Sequence, residues 1–389
     1  MVVHSYYDED SRVRREAEAL VASGRDVDVF GLRRPTDPPQ GTLKGVHIHR
    51  LDVQRHQGAG LGTYLREYVS FGVRACWSLV RAQRRRGYGL IQVHSLPDFL
   101  AFAAFPLRLA GVPLILDLHE AMPEFFRSRF PRASNPLAHR LLLVQERLSI
   151  AISSAAITVN PAMADRLIGL GVAPSKVHIV VNRPSLGLFD ADRYPARAFA
   201  EDGIVRLVYA GALTPTYELD VVLRAIAELR ASRPDLALQL DLYGRGDAEP
   251  TLRSLVETLG IEACVMFRGR IPLDDVPAAL AGADIGLAPT RRDAFTDFSL
   301  STKTFEYAAM GKPVVASRLP MVVETFPTGT IRVYEPGDAA SLAAEIARLI
   351  DDPAARVAAT AATQRFVRDR SWERESVDYL RLVESLARA

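Results

Sequence analysis

Cysteine is scarce in this 389-residue chain: Cys76 and Cys264 stand far apart and share no metal-ligand spacing. Neither a disulfide framework nor a cysteine-built metal site is expected, and a reduced setting suits the chain. The eight histidines contain no H-E-x-x-H pattern, so that route to a zinc centre is missing too. His47 and His49 alternate along an expected strand and read as structural or surface residues. Net charge is also lacking: 48 Lys and Arg against 46 Asp and Glu leave +2. There is no global basic field to attract nucleic acid, so any anion site has to be local. Nor is there a run of about eighteen apolar residues long enough to span a bilayer; the nearest, Phe99 to Ala110, is interrupted by Pro106 and Arg108. The opening M-V-V-H-S-Y-Y-D-E-D turns charged before an apolar leader core forms, so a cytoplasmic protein is expected.

What is present is a strand–helix alternation in two series. Short Val-, Ile- and Leu-rich runs read as buried parallel strands. The first series is Val2–Tyr6, Val27–Gly31, Val46–Leu51, Leu90–His94, Pro113–His119, Ala155–Val159 and Val177–Asn182, with helices over Val13–Ser23 and Leu61–Arg86. The second is Ile204–Gly211, Leu238–Gly244, Val265–Gly269, Ile285–Pro289, Pro313–Ser317 and Ile331–Tyr334. Its helices fall near Glu218–Ser232, Ala248–Leu259, Asp274–Ala281, Thr302–Met310 and Ala339–Asp351. Such alternation implies two α/β domains with doubly wound parallel sheets. A Gly- and Pro-rich stretch, Arg183–Gly203, marks the boundary. Ligands of such sheets sit beyond the carboxyl ends of the strands, which is where chemistry is sought.

The most informative segment is D-F-S-L-S-T-K-T-F-E-Y-A-A-M-G-K-P-V-V-A-S, Asp297 to Ser317. A polar loop precedes a helix that starts near Thr302, Gly311 stops it, and a buried strand follows. The amides of Leu300, Ser301 and Thr302 lack helical acceptors, and with the helix dipole they can hold a phosphate. Lys303 adds a full positive charge in the first turn, so a departing diphosphate can be neutralised without a metal. Glu306 lies one turn on, where its carboxylate can accept from a ribose diol. The plainer alternative is a surface Lys303–Glu306 ion pair.

This segment resembles the donor-binding signature of the family-four retaining glycosyltransferases, with the GT-B fold of two Rossmann-like domains facing a cleft. The resemblance implies domains at 1–185 (acceptor) and 186–371 (donor), with a helix over 372–389 packing back on the first. The family brackets its phosphate turn with two glutamates. Glu306 matches the second, at the nucleotide ribose; Phe298 stands where the first would be, and Asp297 or Asp293 can take over contact with the donor sugar. Gly211, closing the strand V-R-L-V-Y-A-G, permits close backbone approach to a ligand. Ala212 and Tyr217 stand where the family often has an Arg and a Lys, and Lys303 is expected to compensate. Tyr243 and Gly244 resemble the family's strand-end Gly turn, and Arg270 and Ile271 the turn whose backbone reads the base.

On the acceptor side, Tyr6, Tyr7, Arg12 and Arg15 follow the short first strand; either the chain begins further upstream or that strand is abbreviated. Ser11 either caps the next helix or meets the acceptor. His119, ending L-I-L-D-L-H-E with Asp117 and Glu120 as neighbours, resembles the family's histidine beside the reacting carbon. His119, Asp297 and Glu306 are the catalytic candidates. Lys303 and the helix start are placed to stabilise the leaving charge, and same-face attack with retention is implied by the resemblance. Neither metal nor cofactor is expected; the partners are a nucleotide-sugar and a glycan, lipid-linked or small-molecule acceptor, in polysaccharide or glycoconjugate assembly. The stretch E-F-F-R-S-R-F-P-R, Glu124–Arg132, suits peripheral contact with a membrane surface or a cleft loop. A Rossmann dehydrogenase is disfavoured, since no glycine follows the first strand until Gly24. A sugar-nucleotide epimerase and a non-catalytic nucleotide-sugar binder of the same shape remain alternatives.

Overall fold

The computed structural model describes residues 1–56, 60–195 and 197–387. The chain divides into two compact units, Met1–Asn182 joined by the chain from Glu373 onward, and Arg183–Trp372.

In the first unit the strands are β1 (Asp28–Leu32), β2 (Gln40–Leu43), β3 (Val46–Leu51), β4 (Ile91–His94), β5 (Leu114–Leu118), β6 (Ala155–Thr158) and β7 (Val177–Ile179). The helices are α1 (Ser11–Ala22), α2 (Leu61–Arg86), α3 (Phe105–Leu109), α4 (Met122–Arg129), α5 (Pro136–Ile152) and α6 (Pro161–Gly169). Strands β4-β5-β6-β7 lie side by side in parallel. A second set runs β1-β3-β2, with β2 antiparallel. Val2 bridges the two sets, pairing in parallel with Phe30 and with Val93. The first strand, expected over Val2–Tyr6, is thus cut to a bridge, because the chain coils into a 3-10 turn at Tyr7–Glu9. Strands β4, β5 and β6 are buried along their whole length, as parallel strands covered on both faces must be.

Asp10, not Ser11, caps α1: its carboxylate accepts from the Val13 amide at 3.2 Å and is held by the Ser5 hydroxyl at 2.8 Å. A carboxylate complements the helix dipole better than a hydroxyl, and the chain turns one residue earlier than the periodicity suggests.

The second unit carries β8 (Val205–Ala210), β9 (Leu238–Tyr243), β10 (Val265–Gly269), β11 (Ile285–Ala288), β12 (Val314–Ser317) and β13 (Arg332–Tyr334). Their order is β10-β9-β8-β11-β12-β13, all parallel. Around them lie α7 (Leu219–Ser232), α8 (Glu249–Leu259), α9 (Val276–Ala281), α10 (Thr302–Ala309), α11 (Pro320–Thr325), α12 (Ala339–Asp351) and α13 (Pro353–Arg368). The chain winds outward from β8 to β10, then returns to the other side of β8 for β11. That reversal opens a crevice at the carboxyl ends of β8 and β11.

Helix α14 (Trp372–Leu386) ends the described chain. Its Tyr379 is fully buried in the first unit and donates its hydroxyl hydrogen to the Gln92 carbonyl at 2.7 Å. The Val181 amide donates to Glu375 at 2.8 Å.

Candidate functional site

The crevice of the second unit is built around α10. Gly286 on β11 makes this possible: a Cβ there would meet the Tyr307 ring at 2.4 Å. With no side chain in the way, Tyr307 lies fully buried across the strand and accepts from the Ala210 amide at the end of β8, 3.1 Å away. The helix is thereby pinned to both strands that border the reversal. Gly311, at φ +67°, closes it.

Among the described residues the amides of Leu300, Ser301 and Thr302 have no hydrogen-bond acceptor, and Ser301 places no side-chain cap on the helix. Lys303 is buried but for 8% of its surface. Its ammonium lies 3.9 Å from the Tyr217 ring centroid and 5.3 Å from that of Tyr209. Tyr217 therefore does not leave a gap in place of a cation; its ring face holds the cation of Lys303. Gly211 closes the arrangement, since a Cβ there would sit 2.2 Å from Lys303 Cε. The plainer alternative of a surface ion pair does not fit, because Lys303 and Glu306 are both buried. Both residues face inward; Glu306 is 8% exposed.

Gly244, at φ +141°, packs so tightly on the Gly211 carbonyl that a Cβ would come within 1.8 Å of its oxygen. The Gly211 amide donates to the Tyr243 carbonyl at 2.8 Å, and the Gly244 amide to the Gly269 carbonyl at 2.8 Å. The strand ends of β8, β9 and β10 are thus laced together, with Ala212 exposed at the rim and Tyr209 donating to its carbonyl at 2.7 Å. Arg270 and Ile271 follow β10 directly, Arg270 exposed and Ile271 half-buried.

Of the two acids offered for the donor sugar, Asp293 turns its Oδ1 onto the amides of Phe295 and Thr296, each at 2.9 Å, shaping its own loop. Asp297 is half-exposed and pairs with Arg292 at 3.1 Å. Sequence patterning did not single out Glu218, which is buried and accepts from Tyr334 at 2.7 Å and Ser317 at 3.3 Å. Burial pushes its carboxyl up, even though these hydroxyls oppose the rise.

In the first unit, His119 follows β5 and its amide donates to Ser95 Oγ at 3.0 Å. Its ring Nε2 lies 3.0 Å from Asp117 Oδ2, and His94 Nδ1 lies 3.0 Å from the same oxygen. His94 and Asp117 are register partners on β4 and β5. Burial would raise Asp117, but the two imidazoles outweigh it and hold its carboxyl well below the usual range. Burial and then the Arg12 guanidinium lower His119 to about 4. Near neutral pH the pair is therefore an ionised Asp117 accepting from a neutral His119, which fixes the ring and its tautomer. Behind them Gln92 donates to Glu16 and to Asp117, and its carbonyl is the acceptor for Tyr379. Burial and then the Asp117 charge push Glu16 well above the usual carboxyl range.

The ligand atoms of His94, Asp117 and His119 lie within 4.8 Å of one another, a spacing a metal ion can also use.

Arg12 is half-buried with a buried Nε that meets no partner among the described residues, and Glu120 is raised by burial although Arg12 and Arg55 oppose it. Tyr6 lies under the Arg34 guanidinium at 4.4 Å. Tyr7 differs from expectation: its ring is 2% exposed and forms part of the interior, because the 3-10 turn rolls it inward. Arg15 is likewise buried. The Phe residues of Glu124–Arg132 are half-buried; Phe126 and Phe130 pack together at 5.4 Å, and Glu124 binds Arg166 at 2.7 Å.

Two family models match the chain: glycosyl transferases group 1 over residues 205–352, and a glycosyl transferase 4-like domain over residues 10–183. The chain is 26% identical over 365 residues to a D-inositol 3-phosphate glycosyltransferase of Arthrobacter sp. (strain FB24), covering 88% of this chain and 82% of that protein. It is 27% identical over 374 residues to a glycogen synthase of Mycobacterium tuberculosis, covering 93% and 87%. Among solved structures it superposes on sucrose-phosphate synthase from Thermosynechococcus elongatus with a TM-score of 0.77 at 20% identity, covering 99% and 98% of the two chains. HepE of Anabaena in complex with UDP-glucose superposes with a TM-score of 0.72 at 14% identity, covering 99% and 98%. The fold is GT-B.

Proposed function

Because this chain belongs to the group 1 glycosyltransferases, we propose that it transfers a sugar from a nucleotide-sugar to an acceptor hydroxyl with the donor diphosphate seated on the N-terminus of α10. The observation that carries this is the amides of Leu300, Ser301 and Thr302, without acceptors among the described residues, beside the buried Lys303 whose ammonium rests on the Tyr217 ring. Amide dipoles and an ammonium held ready in this way stabilise the charge that grows on the leaving diphosphate. Glu306 takes the ribose, Asp297 the sugar, and the backbone at Arg270 and Ile271 the base; Gly211, Ala212, Tyr243 and Gly244 form the floor. Within the first unit, His119, neutral and oriented by Asp117, is assigned to the transferred sugar, and Tyr6, Arg12 and Glu120 to the acceptor. The anomeric carbon–phosphate bond breaks, the acceptor oxygen bonds to the same face with retention, and the departing phosphate accepts the hydroxyl proton. No metal or cofactor is required. The acceptor is a glycan, lipid-linked or small molecule in cytoplasmic polysaccharide or glycoconjugate synthesis.

The test is a thermal-shift panel of UDP, GDP, ADP and dTDP and their sugars, with Lys303→Ala and Glu306→Ala. One nucleotide should raise the melting temperature of the parent, and both variants should lose most of that shift; equal shifts in all three proteins would remove the donor site. Transfer should survive excess EDTA, and loss of activity restored by a divalent ion would defeat the metal-free route. The exposed Ala212, where relatives of this type often carry an Arg, favours a second reading as a nucleotide-sugar binder. Tight donor binding without turnover on any acceptor mixture would select it, and a changed free sugar nucleotide would select an epimerase.

A further inference from the structure

The first unit carries an apolar surface that the transfer reaction does not use. Of the sixteen large hydrophobic side chains exposed among the described residues, eleven lie on three neighbouring elements. On α2 they are Leu65, Val69, Val73 and Trp77, spaced four apart, with Val73 and Trp77 each 65% exposed. This row lies opposite the buried row Glu67, Phe71, Ala75 and Leu79. On α5 they are Leu137, Leu141, Val144 and Leu148, opposite the buried Glu146, Ser149 and Ile150. The 3-10 segment Asp98–Ala104 packs against both helices, and with α3 it adds Phe102, Phe105 and Leu109. A run of apolar surface on this scale needs a partner.

Its charges say which. The acids of these elements are Glu67, Asp98 and Glu146, and all three are buried. Glu67 is bound to His56 and Glu146 to Arg166. Every exposed charge on the three elements is an arginine, including Arg66, Arg74, Arg81, Arg140 and Arg147. The chain as a whole balances its signs, so this face is biased well beyond the average. A second copy docked face to face would bring arginines against arginines with no acid to pair them. An anionic lipid surface supplies both complements: acyl boundary for the leucines and Trp77, phosphate for the guanidinium groups. Trp77 lies beside Arg81 at 5.2 Å, an aromatic–cation pair suited to the headgroup level. Among the described residues no helix is long and apolar enough to cross a membrane, and the contact proposed is with its surface.

We propose that the outer face of α2, Asp98–Leu109 and α5 docks this protein on an anionic phospholipid bilayer. This places the contact on the two helices that flank Asp98–Ala104 rather than on Glu124–Arg132, whose phenylalanines are half-buried. The proposal needs neither donor nor acceptor, so it stands or falls apart from the transfer reaction.

The full chain is mixed with vesicles of equal phosphatidylcholine and phosphatidylglycerol, or of phosphatidylcholine alone, then sedimented. Trp77 is followed by fluorescence, since Trp372, the second of two tryptophans, is only 7% exposed. The expected result is binding to the anionic vesicles, a blue shift absent in Trp77→Phe, and partitioning roughly 100-fold weaker in Arg74→Gln/Arg81→Gln/Arg147→Gln, at about fivefold per arginine. Circular dichroism should show the variants folded, since all four positions are exposed. Equal binding to both vesicle types, or undiminished binding by the triple variant, would overturn the proposal. So would a dimer in sedimentation velocity that Leu141→Glu dissociates, without vesicle binding.

Discussion

Gly211→Ala tests the donor site more sharply than removing Lys303, because it displaces the ammonium without deleting it. The backbone at Gly211 lies outside the left-handed region, so alanine fits the chain conformation. The added methyl would stand 2.2 Å from Lys303 Cε, 2.9 Å from its Nζ and 2.9 Å from Tyr209 Oη. Tyr209 is fully buried and tied to the Ala212 carbonyl, so the flexible lysine end moves. A hydrogen bond to a charged group contributes about 1.5–3 kcal/mol, so losing it from the transition state should lower kcat/KM roughly 10- to 150-fold. Lys303→Ala should cost at least as much. The decisive assay is the cycle: if Gly211→Ala acts through Lys303, adding it to Lys303→Ala should change kcat/KM by less than about twofold. Losses that multiply in the double variant would refute the reasoning and return Gly211 to a backbone role independent of the lysine.

Gly244→Ala should behave differently, because its clash at 1.8 Å is with the Gly211 carbonyl and its φ is +141°. Neither can yield, so a loss of soluble protein or at least about 3 kcal/mol in urea unfolding is expected; a fully stable variant would contradict the packing described. His119 should titrate near pH 4 in a histidine NMR series, well under its ordinary 6.5, because burial and then Arg12 disfavour the cation. Its folded value lies below its unfolded one, so this group's contribution to stability is full above about 6.5 and is lost as pH falls through about 4. Arg12→Gln should move the midpoint upward, and a wild-type midpoint above 6 would refute the assignment. Tyr379→Phe leaves the Gln92 carbonyl without its 2.7 Å donor, a buried loss of about 1–3 kcal/mol. Chemical denaturation should show it, and an unchanged midpoint would mean the helix is held by packing alone.

Where local periodicity and burial coincide, the sequence is easy to read. Helix α2 begins and ends where its pattern does, with Gly87 at φ +64° as its stop, because one row of its side chains enters the core and arginines gather at its C-terminus. The start of α10 is equally legible, since a polar loop, a first-turn lysine and a glycine stop bracket it. Helix α5 is not legible: Leu137, Leu141, Val144 and Leu148 are exposed while Glu146 and Ser149 are buried, so its apolar residues do not mark the inward face. The feature that hid the helix is the one that gives the unit its exposed surface. The segment Asp98–Ala104 coils as a 3-10 helix, which has no 3.6-residue period to find.

The histidine site shows a deeper limit. His119 stands out as a polar residue at a strand end, but what orients it comes from four separate stretches of chain. Asp117 is two residues away, His94 comes from the neighbouring strand, Glu16 from α1, and Tyr379 from the last helix through Gln92. The Tyr379–Gln92 bond joins residues 287 positions apart, and no spacing rule connects them. Residues that meet a ligand sit at strand ends and helix starts, where local chemistry betrays them. Residues that set the protonation and direction of those groups are chosen by the packed sheet, and only topology assembles them. A buried ionised carboxylate such as Asp117 is tolerable only with its partners in place, so altering any one of these distant positions should register first at His119.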